Sequence, residues 1–280
     1  MVYDTTNIFD RNVILPQWLD NFIFYEMSAI YCRKNKDLVV LDWNKNDILG
    51  YLGTYFPRSF AESYCIFSSY LKEHSEQYKE FETISIFDFG CGTGGELIGF
   101  IVAVSKILPH VKNIKLRALD GNANALRILE LILEKVSKET GIALRSHLMP
   151  IVIDDFYDMD IVTDVITQKY DFVVTFKAIC EFVTKQQFEQ KNPYEHVINV
   201  FLPKLHENGV VCIADITSYS DVSNDWLPKM LDRASCSCDV DVVSRNSGFN
   251  EEYHVSHSKK TRDLSKIAWR IYKSKTIVET

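Results

Sequence analysis

The chain lacks a long uninterrupted run of apolar residues. No stretch reaches the roughly 18 uncharged apolar residues that a membrane-spanning helix needs. The first residues, MVYDTTNIFDRN, also lack the basic segment followed by an apolar segment that marks a secretory signal. We therefore expect a cytoplasmic protein that has no membrane partner.

Paired cysteines are also missing. The seven cysteines are Cys32, Cys65, Cys91, Cys180, Cys212, Cys236 and Cys238. Their number is odd and several lie in apolar runs, where a reduced thiol packs as a small hydrophobic group. Cys236 and Cys238 are close in sequence, but no second pair or nearby histidine completes a four-ligand site. We expect neither a disulfide framework nor a metal site.

The sequence has no excess of positive charge. Lys and Arg number 31 against 38 Asp and Glu, so the formal net charge is −7. This charge argues mildly against a large nonspecific nucleic-acid footprint, although it leaves room for a local basic patch. Hydrophobic residues make up 46% of the 280 residues, which is typical of a globular protein. The length suits one α/β domain of about 200 residues plus an extension.

Two parts of the chain differ in their periodicity. Residues 14–35 and 59–81 place apolar side chains at helical spacing, which predicts an N-terminal helical cap over residues 1–81. From residue 84 onward, strand patterns alternate with helix patterns. The predicted strands cover 84–90, 113–121, 147–158, 170–176, 208–217 and 265–275, and the predicted helices cover 96–108, 123–138 and 194–206. The polar stretch 218–258 is expected to be helix plus loop.

This alternation indicates right-handed crossovers between parallel strands. We therefore predict a doubly wound α/β domain over residues 82–280, with a mainly parallel sheet and helices on both faces. The last strand is expected to form a terminal hairpin at the sheet edge.

The most informative segment is Asp88-Phe89-Gly90-Cys91-Gly92-Thr93-Gly94-Gly95-Glu96, between a predicted strand and a predicted helix. Glycines allow a tight turn and close approach to a ligand, and the helix start offers free N–H groups. We expect a nucleotide-like cofactor here. The residues expected to line it are Asp88, Gly90, Cys91, Gly92 and Gly94. The spacing of Gly90, Gly92 and Gly95 also matches G-x-G-x-x-G, so an NAD-dependent oxidoreductase remains an alternative.

The turn resembles motif I of the class I (Rossmann-like) S-adenosyl-L-methionine-dependent methyltransferases, in which an acidic residue stands two positions before the first glycine, as Asp88 does. The resemblance implies a seven-stranded sheet and a role for Asp88 in holding the methionine amino group. Asp120, followed by Gly121, resembles the acidic residue that takes both ribose hydroxyls, a role that suits a carboxylate. A nicotinamide enzyme could use Asp120 in the same way.

Later segments resemble the same family in order. Asp154, Asp155 and Phe156 resemble the adenine site, where Asp155 would accept from N6 and an apolar side chain would cover the ring. Thr175, with Phe176 and Lys177, resembles motif IV at the transfer site, and Gly209 resembles the turn before the following strand. Taken singly, Asp120 or Asp155 could instead cap a helix.

The implied mechanism needs little from the protein beyond alignment of the acceptor and exclusion of water, because a sulfonium is a good leaving group. Lys177, Glu181, Tyr194 and Asp215 are candidates for a base by position, and we assign none of them. The Asx-Pro-Pro-aromatic signature of adenine N6 and cytosine N4 methyltransferases is absent after the fourth strand, which disfavours those acceptors.

Residues 50–70 are similar to a segment of the Rsm22-like ribosomal small-subunit methyltransferase homologues, most clearly at 57–61. Tyr55 departs from the arginine usual in that family, and the cysteines of its iron–sulfur centre are missing. The resemblance implies ribosomal RNA or a ribosomal subunit as partner, with the basic residues of 259–275 meeting phosphates. Arg58 is a further cofactor-binding candidate, reaching over the cofactor's carboxylate from the cap.

We therefore expect methyl transfer from S-adenosyl-L-methionine to an unidentified acceptor, with RNA slightly favoured over a small molecule or a protein. The alternatives are a non-catalytic S-adenosylmethionine-binding protein of ribosome assembly or regulation and, less favoured, the NAD-dependent oxidoreductase.

Overall fold

The computed structural model describes residues 11–32, 44–184, 186–187, 191–216, 219–220 and 225–275. The helices are α1 (Gln17–Asn21), α2 (Lys45–Thr54), α3 (Phe56–Glu73), α4 (Gly95–Ile107), α5 (Ala123–Thr140), α6 (Asp160–Val165), α7 (Ile179–Phe182), α8 (Pro193–Phe201) and α9 (Leu227–Ser237). The strands are β1 (Asn12–Ile14), β2 (Thr83–Phe89), β3 (Asn113–Asp120), β4 (Ala143–Pro150), β5 (Tyr170–Phe176), β6 (Leu205–Ile216), β7 (Tyr219–Ser220), β8 (Asp225–Trp226), β9 (Val240–Arg245), β10 (Glu251–His257) and β11 (Lys260–Ser274).

The main sheet has the strand order β1-β10-β11-β6-β5-β2-β3-β4, and β9 also pairs with β11. Strands β2 to β6 pair with one another in parallel, whereas β11 is antiparallel to β6 and β10. The prediction of a doubly wound, mainly parallel α/β sheet is confirmed. The sheet has nine strands and not seven, because β1 adds an edge strand next to β10 and because β9 and β10 pair with different halves of the long β11.

Helices cover both faces of this sheet. Successive side chains of a strand point to opposite faces, and β2 shows the consequence. Ile84 and Ile86 lie in the core formed with α3, α4 and α5, whereas Phe87 and Phe89 lie in the core formed with α6, α8 and α9. Asp88 therefore lies on the same side of β2 as Ile84 and Ile86, under α3 and α4.

The predicted N-terminal cap packs directly on this first face. Helix α3 crosses α4 so closely that a Cβ built at Gly99 would lie 2.5 Å from the carbonyl oxygen of Phe60. The hydroxyl of Ser63 donates to the carbonyl oxygen of Glu96 at 2.6 Å. Buried side chains of α3 and of the sheet belong to one core. The domain boundary at residues 81 and 82 thus stays a prediction.

The cap is not helical throughout. The helix expected over 14–35 consists of α1 and a π-helical turn, Phe22–Glu26, within the described residues. The preceding β1 pairs with β10, and Leu15 N–H donates to the carbonyl oxygen of Ser256 at 2.9 Å. Periodicity alone could not show this strand, because its partner lies near the other end of the chain.

The described helices include none that is both long and apolar enough to cross a bilayer. All seven cysteines are free thiols, and Cys236 is exposed whereas Cys238 is buried. Within the described residues, no group of three or more His, Cys, Asp or Glu side chains is arranged to hold a metal ion.

Candidate functional site: a buried acidic cleft at the glycine turn

The glycine turn joins β2 to α4 through three left-handed residues. The φ angles are +79° at Gly90, +49° at Gly92 and +79° at Gly94, a region that L side chains rarely adopt. A Cβ built at Gly92 would lie 3.1 Å from the hydroxyl of Tyr51. Helix α2 of the cap therefore reaches over the turn and covers it.

Hydrogen bonds tie the turn to the end of the neighbouring strand β3. The N–H groups of Gly90 and Cys91 donate to the carbonyl oxygen of Leu119 at 2.8 and 3.1 Å. Gly92 N–H donates to Asp120 Oδ2 at 2.7 Å, and Asn122 N–H donates to Asp120 Oδ1 at 2.8 Å. Each carboxylate oxygen keeps a further acceptor position. The structure thus brings Asp120, followed by Gly121, against the turn, although its predicted ribose contact is untested.

Asp88, the penultimate residue of β2, lies beneath the turn with its side chain fully buried, at 0% exposure. Within the described residues, neither carboxyl oxygen has a hydrogen-bond partner. Burial and then the nearby carboxyls of Glu96 and Asp120 raise the pKa of Asp88 well above its ordinary value. A buried polar group is almost always partnered in a native protein, so this acid needs a partner beyond the described side chains, either a water molecule or a ligand. An ammonium group would supply the missing donors.

Glu96, in the first turn of α4, is a site residue that the sequence did not reveal. It is 5% exposed, and burial raises its pKa to about 8. A hydrogen bond from its own backbone and the charge of Lys177 oppose that rise in pKa, while Glu62 and Asp120 add to it. An acidic residue in the first turn of a helix is usually explained by the helix dipole, so nothing in the pattern signalled its burial.

Lys177, directly after β5, adds a positive charge to the acidic cleft, the group of side chains formed by Asp88, Glu96, Asp120 and Glu62. Lys177 has a left-handed backbone, with φ of +56°, and its Nζ lies 2.7 Å from Oε2 of the fully buried Glu62 on α3. Glu62 also accepts from the hydroxyl of Ser265. Thr175 is buried, and its hydroxyl has no hydrogen-bond partner among the described residues. The predicted transfer site therefore joins β5, α3 and β11.

The remaining base candidates differ in their surroundings. Asp215 is buried and accepts from the hydroxyl of Tyr194 at 2.9 Å. Burial raises the pKa of both groups. Glu181 is exposed. No residue is assigned as the base.

The predicted adenine site lies beyond a strand that is shorter than expected. Strand β4 ends at Pro150, and Asp154 and Asp155 are exposed in the segment that follows. Asp155 Oδ1 accepts from Tyr157 N–H at 3.0 Å and from Gln187 Nε2 at 2.9 Å, and the first of these bonds is the main cause of its lowered pKa. Phe156 is buried in the second core. The roles of Asp154, Asp155 and Phe156 stay predictions.

Arg58 forms a two-pronged ion pair with β11. Its Nε and Nη2 groups donate to the two oxygens of the buried Asp263 at 2.7 and 2.9 Å. A contact with a cofactor carboxylate would have to use the rest of the guanidinium group or open this pair. The predicted cofactor contact of Arg58 stays untested.

The basic residues of 259–275 do not share one surface. Arg270 is buried and donates to Asp232 at 2.8 Å. Lys266 pairs with Glu252, and Lys275 pairs with Asp239 at 3.1 Å. Lys259, Lys260 and Arg262 are exposed around the β10–β11 turn. The continuous basic surface expected from the sequence is therefore absent from the described residues, and phosphate binding by this turn stays a prediction.

A cavity of about 670 Å³ lies between the π-helical turn, α2 and α5. Its apolar lining consists of Phe22, Met27, Ile48, Leu49, Ile128 and Leu131. None of the residues of the glycine turn lines it. The cavity is thus separate from the buried acidic side chains at the glycine turn.

No known protein-family profile matches the chain, and no curated protein sequence matches it. Among solved structures, a candidate RNA methyltransferase from Pyrococcus horikoshii is 13% identical, with a TM-score of 0.46 over 93% of this chain and 98% of that chain. The precorrin-6y C5,15-methyltransferase from Geobacter metallireducens is 14% identical, with a TM-score of 0.40 over 77% and 89%. The CcbJ methyltransferase from Streptomyces caelestis is 11% identical, with a TM-score of 0.45 over 78% and 96%.

The fold follows from the strand order of the chain itself. In the dinucleotide-binding fold, the strand next to the fifth is the sixth in sequence. Here β6 is the fifth strand of the parallel set, and its outer neighbour is β11, the last of the described strands. Strand β11 runs antiparallel and separates β6 from β10. On the other side of β11, the parallel strands follow in the order β6-β5-β2-β3-β4. The chain therefore has the class I methyltransferase fold.

Proposed function

We propose that the protein binds S-adenosyl-L-methionine at the acidic cleft and transfers its methyl group to an acceptor. One observation carries the proposal: the buried carboxyl of Asp88, which has no hydrogen-bond partner among the described residues, lies beneath a left-handed glycine turn that is hydrogen-bonded to Asp120. The methionine ammonium would satisfy Asp88, and the ribose hydroxyls would use the free acceptor positions of Asp120.

The bound cofactor supplies a methyl group on a good leaving group. The residues of the chain then hold and shield it. Asp88 and Asp120 would fix the two polar ends, while Tyr51 on α2 would exclude water above Gly92. Thr175 and Lys177, at the carboxyl end of β5, would face the acceptor.

For the acceptor, we favour RNA slightly over a small molecule or a protein. The support is the similarity of residues 50–70 to the Rsm22-like proteins, together with the exposed basic residues Lys259, Lys260 and Arg262. The neutralised charges of Arg270, Lys266 and Lys275 weigh against a broad phosphate footprint.

Calorimetric titration tests the cofactor. We expect micromolar binding of S-adenosylmethionine and S-adenosylhomocysteine but not NAD, with weaker binding in Asp120→Ala. An Asp171→Asn variant is the matched control, because this aspartate bonds Ser85 and is assigned no part in the cleft. Binding of NAD alone would contradict the proposal and would favour the alternative, an NAD-dependent oxidoreductase.

Transfer of a labelled methyl group separates catalysis from binding. Labelled cofactor is incubated with RNA, protein extract and small-molecule fractions, and label is expected first in RNA. Tight cofactor binding with no label in any fraction would favour the non-catalytic assembly or regulatory protein.

A further inference from the structure

One face of the sheet edge formed by β3 and β4 carries a cluster of basic side chains. Strand β3 contributes Lys115 and Arg117, and the edge strand β4 contributes Arg145 and His147. In the register of the two strands, Lys115 is paired with Arg145, and Arg117 is paired with His147. Paired residues of neighbouring strands point to the same face, as do residues two apart along one strand. The side chains therefore form a two-by-two array, which we call the β3–β4 basic patch.

The patch lies on an uncovered part of the second face of the sheet. Phe87 of β2, which is paired in register with Arg117, lies in the core formed with α6, α8 and α9. On β3 and β4 that core includes Leu119 and Met149, near the carboxyl ends of the strands. The side chain of Arg117 is half-buried, and the other three members of the patch are exposed. Over the earlier residues of both strands, this face is thus open to solvent.

The fold does not neutralise the charges of the patch. Among the described residues, no ion pair involves any of its members. Arg117 donates to the carbonyl oxygen of Val165 at 2.9 Å, which orients its guanidinium group and leaves the charge in place. Asp171, in the same row across the sheet as Lys115, accepts from the N–H and the hydroxyl of Ser85 at 2.7 Å. Like charges at paired positions of neighbouring strands repel each other, so this arrangement costs stability.

We propose that the β3–β4 basic patch binds the phosphate backbone of RNA. The inference rests on the proposed function, in which RNA is the favoured acceptor, and it adds the surface that holds this RNA. Side chains of the patch are spaced by about 6–7 Å along each strand and by about 5 Å between the strands. Such a regular array of cations suits the regularly spaced phosphates of a nucleic-acid chain.

The composition of the patch decides the kind of contact. The exposed large hydrophobic residues of the described chain include none from β3 or β4, so the patch has no apolar group to insert into a lipid surface. Lysine and arginine contact phosphate oxygens, and these contacts fix the position of a nucleic acid without reading its sequence. Binding should therefore depend strongly on salt and little on sequence. With a net charge of −7, the rest of the chain adds no broad attraction for RNA.

The patch is separate from the acidic cleft. Asp88 lies on the first face of the sheet, under α3 and α4, whereas the patch lies on the second face. Lys115 precedes Asp120 by five residues on β3, which is about 16 Å along an extended strand. Removal of charge from the patch should therefore leave cofactor affinity unchanged.

Fluorescence anisotropy of the full chain with a labelled oligouridylate tests the patch. The double variant Lys115→Gln/Arg145→Gln removes two exposed charges and keeps the hydrogen-bonded Arg117. Each lost phosphate contact on a single strand lowers the slope of log K against log salt by about 0.7. We expect the slope to become shallower by about 1.4, and affinity at about 0.1 M salt to fall roughly 10- to 30-fold.

The double variant Arg127→Gln/Lys138→Gln is the matched control. It makes the same change in net charge at two exposed residues of α5, on the opposite face of the sheet. The control should keep the salt slope and the affinity of the original chain. Thermal unfolding checks the fold of the patch variant, whose midpoint should not fall because two repelling charges are removed.

Three results would overturn the inference. These are equal losses of RNA affinity in the two double variants, no binding of oligouridylate by the original chain at low salt, and tighter binding of polyglutamate than of oligouridylate. The last result would indicate an acidic protein as the partner of the patch.

Calorimetry with S-adenosylhomocysteine separates this inference from the proposed function. The patch variant should bind that ligand as tightly as the original chain. If the original chain binds S-adenosylhomocysteine but its patch variant keeps full RNA affinity, the patch assignment fails and the proposed function stands. If the original chain binds RNA through the patch but binds no adenosyl ligand, the proposed function fails.

Discussion

At the scale of single residues, two aspartates of the main sheet differ in burial and in the hydrogen bonds of their carboxyl groups. Asp171 of β5 accepts from both the N–H and the hydroxyl of Ser85 at 2.7 Å, so its carboxylate is satisfied by the fold. Asp88 of β2 is more deeply buried and has no such partner among the described residues. Asp171 links β5 to the neighbouring strand β2. In the proposed function, the carboxyl of Asp88 would receive its hydrogen bonds from the ligand.

Asp88→Asn should therefore weaken cofactor binding without harming the fold. Asparagine keeps the shape but removes the charge that an ammonium would meet. A hydrogen bond to a charged group contributes about 1.5–3 kcal/mol, so affinity for S-adenosylhomocysteine should fall roughly 10- to 100-fold. The thermal midpoint should stay unchanged or rise, because an unsatisfied buried acid is lost. Calorimetry and thermal unfolding measure the two effects.

Asp171→Asn serves as the control for this prediction. It should lower stability and leave affinity unchanged. If Asp88→Asn and Asp171→Asn change affinity equally, the assignment of Asp88 to the cofactor is wrong.

Glu96 should make the unliganded protein less stable as pH rises. Its pKa is about 8 in the fold and 4.5 as a free side chain. Between these values the folded state binds more protons than the unfolded state, so stability is full below about 4.5 and is lost as pH rises toward about 8. Glu96→Gln removes this dependence.

The comparison must be made between the two proteins across pH. His196 has a pKa lowered to about 4 by burial, so it destabilises both proteins as pH falls below its ordinary value. The difference in thermal midpoint between the original chain and Glu96→Gln removes the effect of His196 and reports Glu96 together with its effect on the pKa of Asp88. A difference that does not change between about pH 4.5 and 8 would contradict a buried, proton-binding Glu96.

At the scale of elements, the contact between α3 and α4 depends on the absence of side chains. Gly99 lies within a helix, where glycine is intrinsically unfavourable by about 1 kcal/mol relative to alanine. A Cβ there would lie 2.5 Å from Phe60 O and 2.9 Å from Tyr64 N. Both atoms belong to the backbone of α3, so the helices would have to separate. Packing, and not helix propensity, explains this glycine.

Gly99→Ala should therefore destabilise the protein by about 1–3 kcal/mol despite better helix propensity. Gly50→Ala is the matched control in α2, because a Cβ built at Gly50 meets nothing within 4 Å. It should stabilise by about 0.5–1 kcal/mol. Urea unfolding measures both, and equal effects would show that α3 and α4 do not approach as closely as described.

At the scale of the whole molecule, α3 connects the cap to the last strand. Arg58 and Glu62, one helical turn apart, contact Asp263 and Ser265, which lie two residues apart on β11. Glu62 also holds Lys177 at the cleft. The cap, the terminal hairpin and the predicted transfer site are thus joined through buried charges.

Arg58→Ala should be strongly destabilising, by about 3–5 kcal/mol, because it leaves the buried carboxylate of Asp263 without its ion-pair partner. The double variant Arg58→Ala/Asp263→Ala should recover part of that loss, and urea unfolding of the four proteins gives the coupling. Additive effects of the two changes would contradict a buried ion pair.

The same proteins test the predicted cofactor contact of Arg58. Arg58→Ala should weaken binding of S-adenosylhomocysteine, whereas Asp263→Ala, which keeps the arginine, should not. Equal affinities in the folded variants would mean that Arg58 only joins the cap to β11.

Local patterns in the sequence determined much of this protein. Alternating periods of two and 3.6 residues predicted both ends of β2, α4, β3, α5 and β5 to within two residues. The glycine turn, the acid before it and Asp120 were identified because turn chemistry depends on neighbours along the chain. These features are local, so a linear pattern suffices to find them.

Only the tertiary structure decided which charges share the cleft. Glu62, Glu96 and Lys177 lie on three elements separated along the chain, and the packing of α3 on α4 brings them together and removes water. The edge strands β1 and β9 likewise exist through pairing with distant partners. Burial and pairing depend on what lies across the fold, and for that reason the sequence alone could not reveal them.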